Sequence, residues 1–187
     1  MTEYTVHTET SAPEASRPHI RAAKGAYGFL PNLLAIQAES PALLEGYMKL
    51  SGIFGKTGLS ETERQIILLT NNRLNNCTYC MAAHTTISRG AKVPEDIIRS
   101  LRDGTPIADT KLEALRRFSI RVNERRGWVD QSDLDAFFDA GYTKQAVFEV
   151  ILGTSLKVMS NYVNHVAQTP LDEAFKADAW PSTSAAA

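Results

Sequence analysis

Apolar residues recur at helical spacing along most of this chain, and this pattern limits its fold more than any other feature. After the N-cap and proline of Ser40-Pro41, an apolar stripe predicts a helix over about 41–54. Ser60 and Glu63 have the spacing of a capping box at the start of the next helix. No segment of useful length alternates apolar and polar residues with the period of a half-buried strand. The sequence therefore predicts an all-α fold.

Cap and stop signals divide the rest of the chain into further helices. One helix is predicted to carry both cysteines, a short helix follows it, and the last helix is long. The signals are Asn75-Asn76 and Gly90 around the cysteine helix, Pro94 before the short one, Gly127 and Gly141 after two later helices, and Thr143 and Gln168 at the ends of the last.

The length of 187 residues suits one domain, which we predict over 18–176, with loose tails over 1–17 and 177–187. Twenty Lys and Arg against 21 Asp and Glu give a formal charge of −1, which disfavours binding to nucleic acid. No apolar run is long enough for a membrane span, and the first residues lack the pattern of a signal peptide. We therefore expect a cytoplasmic protein that binds neither nucleic acid nor membrane.

The only two cysteines, Cys77 and Cys80, lie three residues apart, and His84 follows four residues later. A helix advances about 100° per residue, so the three side chains are predicted within about 60° of one another. His84 could take the proton from the Cys80 thiol, and a helix N-terminus favours a thiolate. Because a CxxC pair on one helical turn can close a disulfide, redox cycling explains it best, with Cys80 attacking and Cys77 resolving.

Two other interpretations of these residues stay open. The two cysteines and His84 could be three zinc ligands, for which His165 is the only plausible distant fourth. Alternatively, the cysteines are buried and inert beside a satisfied core histidine. Asn161 and Asn164 form a second polar cluster with His165, which either lines the same pocket or belongs to a structural hydrogen-bond network.

The stretches 59–64 (LSETER) and 76–84 (NCTYCMAAH) resemble the core motif of the carboxymuconolactone decarboxylase superfamily, in particular its alkylhydroperoxidase D (AhpD)-like, peroxidase-related branch. The resemblance extends from 29–32 (FLPN) and 39–41 (ESP) to 140–142 (AGY) and 161–165 (NYVNH). It implies an AhpD-like, multi-helix orthogonal bundle that forms homo-oligomers. It also implies a thiol peroxidase in which Cys80 reacts with the hydroperoxide, Cys77 resolves and His84 belongs to a proton relay.

The family's relay includes a glutamate twelve residues before the first cysteine, where this chain has Gln65. An amide cannot pass a proton at neutral pH, so another carboxylate would have to replace it. Glu63 points about 160° away from Gln65 on the same helix, whereas Glu149 lies among apolar neighbours that predict partial burial. We predict that Glu149 approaches His84 or the thiols; pairing with an arginine for structure is the other interpretation.

These observations together predict an antioxidant hydroperoxidase whose catalytic residues are Cys80, Cys77, His84, Glu149 and Gln65. The predicted cycle uses no cofactor and no metal, and a dithiol protein of lipoyl or thioredoxin type is expected to return the electrons. The alternatives are a general protein disulfide reductase and a non-catalytic metal-binding or structural oligomer.

Overall fold

The computed structural model describes residues 3–181, and no strand occurs among them. The all-α prediction is therefore confirmed. Nine α-helices lie in this part of the chain, with 3₁₀ turns at Glu14–Ser16 and Glu173–Asp178. The helices are α1 Arg17–Tyr27, α2 Asn32–Gln37, α3 Pro41–Phe54, α4 Glu61–Leu74, α5 Thr78–Gly90, α6 Glu95–Asp103, α7 Thr110–Glu124, α8 Gln131–Asp139 and α9 Lys144–Ala167.

Most of the predicted cap residues begin helices in the structure. The Ser40 side chain accepts a hydrogen bond from the Leu43 amide, and the Ser60 and Glu63 capping box is complete. The predicted cap of the cysteine helix was wrong. Asn75 instead ends α4, and the N-cap of α5 is Cys77, whose side chain makes no capping hydrogen bond. The first cysteine therefore lies just outside the helix, where its sulfur is free to face Cys80.

Helices α1 and α2 were not predicted from the sequence. Only Ile20 and Ala23 of α1 are buried, so its apolar stripe is too narrow to stand out as a pattern. By contrast, α2 has only six residues, five of them buried, so its apolar run has no visible period. Packing against the other helices, rather than the intrinsic helix propensity of their residues, therefore stabilises both helices.

Helix α4 lies at the centre of the fold. Its residues 65–72 are all buried, and it packs against α5, α6, α7 and α9. An element that is covered on every side carries polar groups only where they are hydrogen-bonded, and α4 therefore supplies both core and site residues. Although α9 has 24 residues, no helix within residues 3–181 is long and apolar enough to cross a membrane.

The absence of a side chain at Gly153 lets α9 approach the core closely. A Cβ atom there would lie 2.8 Å from Ile67 Cγ2 and 2.8 Å from the ring of Phe54, both of which are buried. Real Cβ atoms do not approach other atoms so closely, and neither neighbour has open space to retreat into. Substitution at this position must therefore push the helices apart.

We expect Gly153→Ala to lower the free energy of unfolding by about 1–3 kcal/mol, because overpacking outweighs the gain in helix propensity. Gly46→Ala is the matched control, since Gly46 is also inside a helix but a Cβ atom added there would have no neighbour within 4 Å. It should leave stability unchanged or raise it by up to about 1 kcal/mol. Denaturant unfolding measures both, and a Gly153→Ala protein as stable as the parent would contradict this packing.

The domain limits over 18–176 stay a prediction, but parts of both predicted tails pack onto the helices. Ala12 and Ser16 are buried, and the Ser16 hydroxyl donates to the Ala38 carbonyl oxygen at 2.6 Å. Near the other end, Asp178 and Trp180 are buried. Isolated small or aromatic residues in polar segments give no periodic pattern. The polar composition of these segments therefore predicted loose tails, although a few of their residues are buried. The predicted tail residues 1–2 and 182–187 lie outside the described residues.

Candidate active site

The two cysteines lie at the first turn of α5. Cys77 is the N-cap residue and Cys80 is the third residue of the helix, so both are close to its unpaired backbone N–H groups. Both thiols are free, and each residue is only 1% exposed. The cap position, rather than a regular helical phase, brings the Cys77 sulfur toward Cys80.

One side chain of α9 contacts both sulfurs. The Asn164 amide donates to the Cys80 sulfur at 3.1 Å and lies 3.6 Å from the Cys77 sulfur. The Ser160 hydroxyl oxygen, one turn earlier, is 3.9 Å from the Cys80 sulfur. Because a single amide nitrogen reaches both thiols, the pair is held on the face of α5 that packs against α9. Of the alternatives for Asn164, lining the same site is the one that these contacts support.

A cavity of about 240 Å³ opens beside Cys80. Its walls include apolar and aromatic side chains from six helices, α1 to α5 and α9, and from the 3₁₀ turn at Glu173–Asp178, and charged and amide groups also line it. Cys80 lines this cavity, whereas Cys77 does not. The polar lining residues include Glu61, Arg64, Gln65, Cys80, His84 and Lys157, and the walls include Tyr27, Tyr47, Phe54 and Phe175.

The surroundings of the two thiols push their pKa values in opposite directions. Burial alone would raise the pKa of Cys80, but a hydrogen bond from Cys77 and the positive charge of Lys157 lower it below its ordinary value. The hydrogen bond to Cys80 and burial both raise the pKa of Cys77. The pair therefore ionises first at Cys80, with Cys77 retaining its proton and donating it. This is the order that an attacking and a resolving thiol need.

His84 is held by a group on each ring nitrogen. Its Nδ1 is 3.0 Å from the Gln65 side-chain oxygen, and its Nε2 is 3.1 Å from the ammonium nitrogen of Lys157. Since an amide oxygen and an ammonium leave only one consistent tautomer, Nδ1–H donates to Gln65 and Nε2 accepts from Lys157. Burial and the Lys157 charge both lower the pKa of His84, so its imidazole is neutral. Nε2, the ring nitrogen that carries no proton in this tautomer, therefore faces Lys157 and not a thiol.

Gln65 lies where the family's relay glutamate is expected, and a carboxylate stands one turn before it. The Gln65 amide donates to Glu61 at 2.8 Å, and Arg64 also donates to Glu61 at 2.7 Å. Glu61, Gln65, His84 and Lys157 therefore form one continuous hydrogen-bonded chain along the cavity. An amide inside this chain orients its neighbours but does not transmit a proton.

Glu149 does not join the site, and the predicted approach to His84 or the thiols was wrong. It is partly buried, as its neighbours suggested, but it accepts hydrogen bonds from the Gly58 amide at 3.0 Å and from Gln145 at 2.7 Å. It lies two helical turns before Lys157 in α9, which is about 12 Å along the helix axis. Its partners are neither an arginine nor the thiols. The contact with Gly58 instead attaches the loop before α4 to helix α9.

Other polar residues near the cysteines have structural contacts. Asn161 donates to Asn72 at 3.0 Å, and Asn72 donates to the Cys80 carbonyl oxygen at 3.0 Å, which ties α4, α5 and α9 together. The Tyr79 hydroxyl donates to Asp172 at 2.5 Å and accepts from the Leu33 amide, fixing the chain that bears the wall residue Phe175.

The zinc interpretation receives no support from the geometry. His165 is exposed and stacks on Tyr162, while both sulfurs are buried. Within residues 3–181, no group of three or more His, Cys, Asp or Glu side chains is arranged to hold a metal ion. His84 also has both ring nitrogens engaged.

Sequence reasoning missed Lys157 and Glu61. Lys157 had a recognisable signal, because it is a lysine in the middle of a long, largely apolar helix, with Gly153, Ser160 and Asn161 at three and four residues on its own face. Small and polar neighbours at that spacing indicate a lysine that faces other protein groups rather than water. Glu61 had only its position one turn before Gln65, which is equally typical of a solvent-exposed helix start.

The fold and the site together define an all-α protein with a buried, hydrogen-bonded dithiol beside an apolar cavity. Residues 41–117 match the model of the Carboxymuconolactone decarboxylase family, which confirms the resemblance. The matched residues include both cysteines, His84, Gln65 and Glu61, whereas Lys157 lies beyond them.

Solved structures show the same fold. One is the AhpD core of an uncharacterised peroxidase-related protein from Ralstonia eutropha JMP134, with a TM-score of 0.80, 21% identity, and coverage of 92% of this chain and 93% of that one. A peroxidase-related protein from Silicibacter sp. TM1040 matches with a TM-score of 0.76, 18% identity and 87% coverage of each chain. The AhpD-like fold is therefore confirmed.

A third similar structure has a different described activity. It is a cysteine-to-alanine variant of the debrominase Bmp8 in complex with 2,3,4-tribromopyrrole, with a TM-score of 0.78, 16% identity, and coverage of 95% of this chain and 96% of that one. Among curated protein sequences, none matches this chain.

Proposed function

We propose that this protein reduces hydroperoxides through a Cys77–Cys80 dithiol and disulfide cycle. The observation that carries the proposal is the arrangement of the sulfurs: Cys80 lines the cavity, and one amide, Asn164, reaches both thiols. A substrate in the cavity therefore meets Cys80 first, with the second thiol already beside it. The match of residues 41–117 to the family model and the shared fold support the same assignment.

The chemistry balances with these two thiols alone. The Cys80 thiolate attacks one peroxide oxygen, the O–O bond breaks, and the other oxygen leaves as an alcohol after taking up a proton, so that Cys80 becomes a sulfenic acid. The Cys77 sulfur then attacks the Cys80 sulfur, water leaves and the disulfide forms. Two electrons have passed from the dithiol to the peroxide, and an external dithiol returns them by exchange.

Burial of the thiols favours a small substrate over a protein disulfide. Each cysteine is 1% exposed, so a folded protein partner has no path to the sulfurs except through the cavity of about 240 Å³. A flexible lipoyl arm, or a thioredoxin-like protein after a local opening, remains our proposal for the reductant. We also propose that the protein is cytoplasmic and that it forms a homo-oligomer; the exposed apolar residues Phe148, Tyr162 and Val166 of α9 support the second of these proposals.

Reductive removal of a halogen from a small aromatic ring is a second candidate. Five phenylalanine and tyrosine side chains line the cavity, and a debrominase shares the fold. In such a reaction the dithiol supplies two electrons, a carbon–halogen bond breaks, halide leaves, and the ring carbon gains a hydrogen while the same disulfide forms. The same sulfur geometry serves both reactions, so the substrate distinguishes them.

The test supplies dithiothreitol as the electron donor and compares cumene hydroperoxide, hydrogen peroxide and 2,3,4-tribromopyrrole. We expect saturable, protein-dependent consumption of a hydroperoxide, with one molecule of oxidised dithiothreitol formed for each molecule consumed. Release of bromide without peroxide turnover would favour the second candidate. No turnover of any of the three would contradict both redox proposals.

A further inference from the structure

Lys157 is a buried cation without a carboxylate partner. The residue is 1% exposed, and no carboxylate of residues 3–181 lies within ion-pair distance of its ammonium group. Its hydrogen-bond partner is the neutral His84 ring at 3.1 Å. A buried charge is costly unless an anion compensates it, so another acid must face this ammonium.

The groups around the cavity leave one candidate for that anion. From α4, Glu61 is paired with Arg64 and also accepts from Gln65, so its charge is already compensated. The phenols of Tyr27 on α1, Tyr47 on α3 and Tyr79 on α5 have pKa values raised by burial and stay neutral. The Cys77 thiol also keeps its proton. Cys80 remains, on the same cavity wall as Lys157.

We propose that Lys157 holds Cys80 as a thiolate in the resting protein, so that the site needs no general base to activate it. Lys157 is a positioning residue: its charge acts on the sulfur, and His84 and Gln65 hold the lysine in place. The inference concerns the ionisation of Cys80 and rests on the proposed function only for its use in catalysis.

The role of Gln65 follows from this arrangement. Its amide oxygen accepts from His84 Nδ1, which leaves Nε2 as an acceptor that faces Lys157. A glutamate at this position would favour a protonated imidazole. An imidazolium has no nitrogen that can accept a hydrogen bond from Lys157, and its positive charge would repel the ammonium. Gln65 and Lys157 therefore act together in this site, because the neutral amide keeps the imidazole neutral and the lysine supplies the fixed positive charge.

The test measures the rate of iodoacetamide alkylation against pH in the Cys77→Ser background, where Cys80 is the only thiol and the serine hydroxyl can still donate to it. A thiolate held by Lys157 gives a rate that is flat through neutral pH and falls only in acid. Lys157→Met should raise the apparent pKa of Cys80, so that the rate begins to fall at a higher pH, and at pH values well below both pKa values a tenfold weaker acid is alkylated about tenfold more slowly. Lys157→Arg, which keeps the charge, should restore much of the rate.

Several outcomes would overturn the inference. An ordinary thiol profile in the Cys77→Ser protein itself, with an apparent pKa of about 8.5, would overturn it without any change at Lys157. So would an unchanged profile in Lys157→Met. Alkylation requires no peroxide, so a low apparent pKa in a protein that fails to consume hydroperoxides would refute the proposed function and leave this inference standing.

Discussion

Replacing Cys80 with serine should lower hydroperoxide consumption at least about 1000-fold, because it removes the nucleophile on which the other groups act. Cys80 is the thiol that lines the cavity, and its pKa is the one that its neighbours lower. A serine hydroxyl is not ionised under these conditions and does not attack a peroxide oxygen at a useful rate. Stopped-flow measurement of peroxide consumption gives the rate directly.

Cys77→Ser is the matched control, since it makes the same chemical change on the neighbouring thiol. It should retain the first step, consume about one equivalent of peroxide and stop as a Cys80 sulfenic acid that a dimedone-type reagent traps. The opposite pattern, with a normal first step in Cys80→Ser and none in Cys77→Ser, would reverse the two roles.

Asn72→Leu should have the largest effect on stability of any single change near the site, lowering the free energy of unfolding by about 2–4 kcal/mol. Asn72 is fully buried, and its side chain joins the Cys80 carbonyl oxygen to the Asn161 amide, each at 3.0 Å. Leucine fills a similar volume but leaves both partners without this contact. Denaturant unfolding measures the change.

Gln131→Leu serves as its control, because the same kind of amide is replaced at an exposed position on α8, where it donates a hydrogen bond to Asp135. It should change the free energy of unfolding by less than about 0.5 kcal/mol. If the two substitutions had equal effects, the amide contacts between α4, α5 and α9 would not contribute as the structure indicates.

The features that sequence predicted best are those with a local signal. Helix starts such as Ser40 and Ser60 are specified by residues within one turn, and the spacing of Cys77 and Cys80 limits their distance in any conformation. The partners of the cysteines lie far along the chain. Asn164 and Lys157 reach the site only because α9 packs against α4 and α5, so a single sequence can suggest these residues but cannot pair them with the thiols.

Glu149 shows the limit of the same reasoning. Apolar neighbours correctly predicted its partial burial, yet burial does not say which group faces it, and its partner is the Gly58 amide. Lys157 is the converse case. It places a positive charge in the site, where a carboxylate was expected. It lies on the face of α9 that also carries Gly153 and Ser160, whose small side chains leave room for a long one.

The central claim is that the two sulfurs react as one redox unit reached through the Cys80 cavity, and a single oxidation experiment tests it. The reduced protein is treated with one equivalent of hydroperoxide, and free thiols and intact mass are then measured. We predict that both thiols disappear together and that the mass falls by that of two hydrogens, fully reversed by dithiothreitol. Retention of both thiols, or stable addition of oxygen at one of them with the other still free, would contradict the claim.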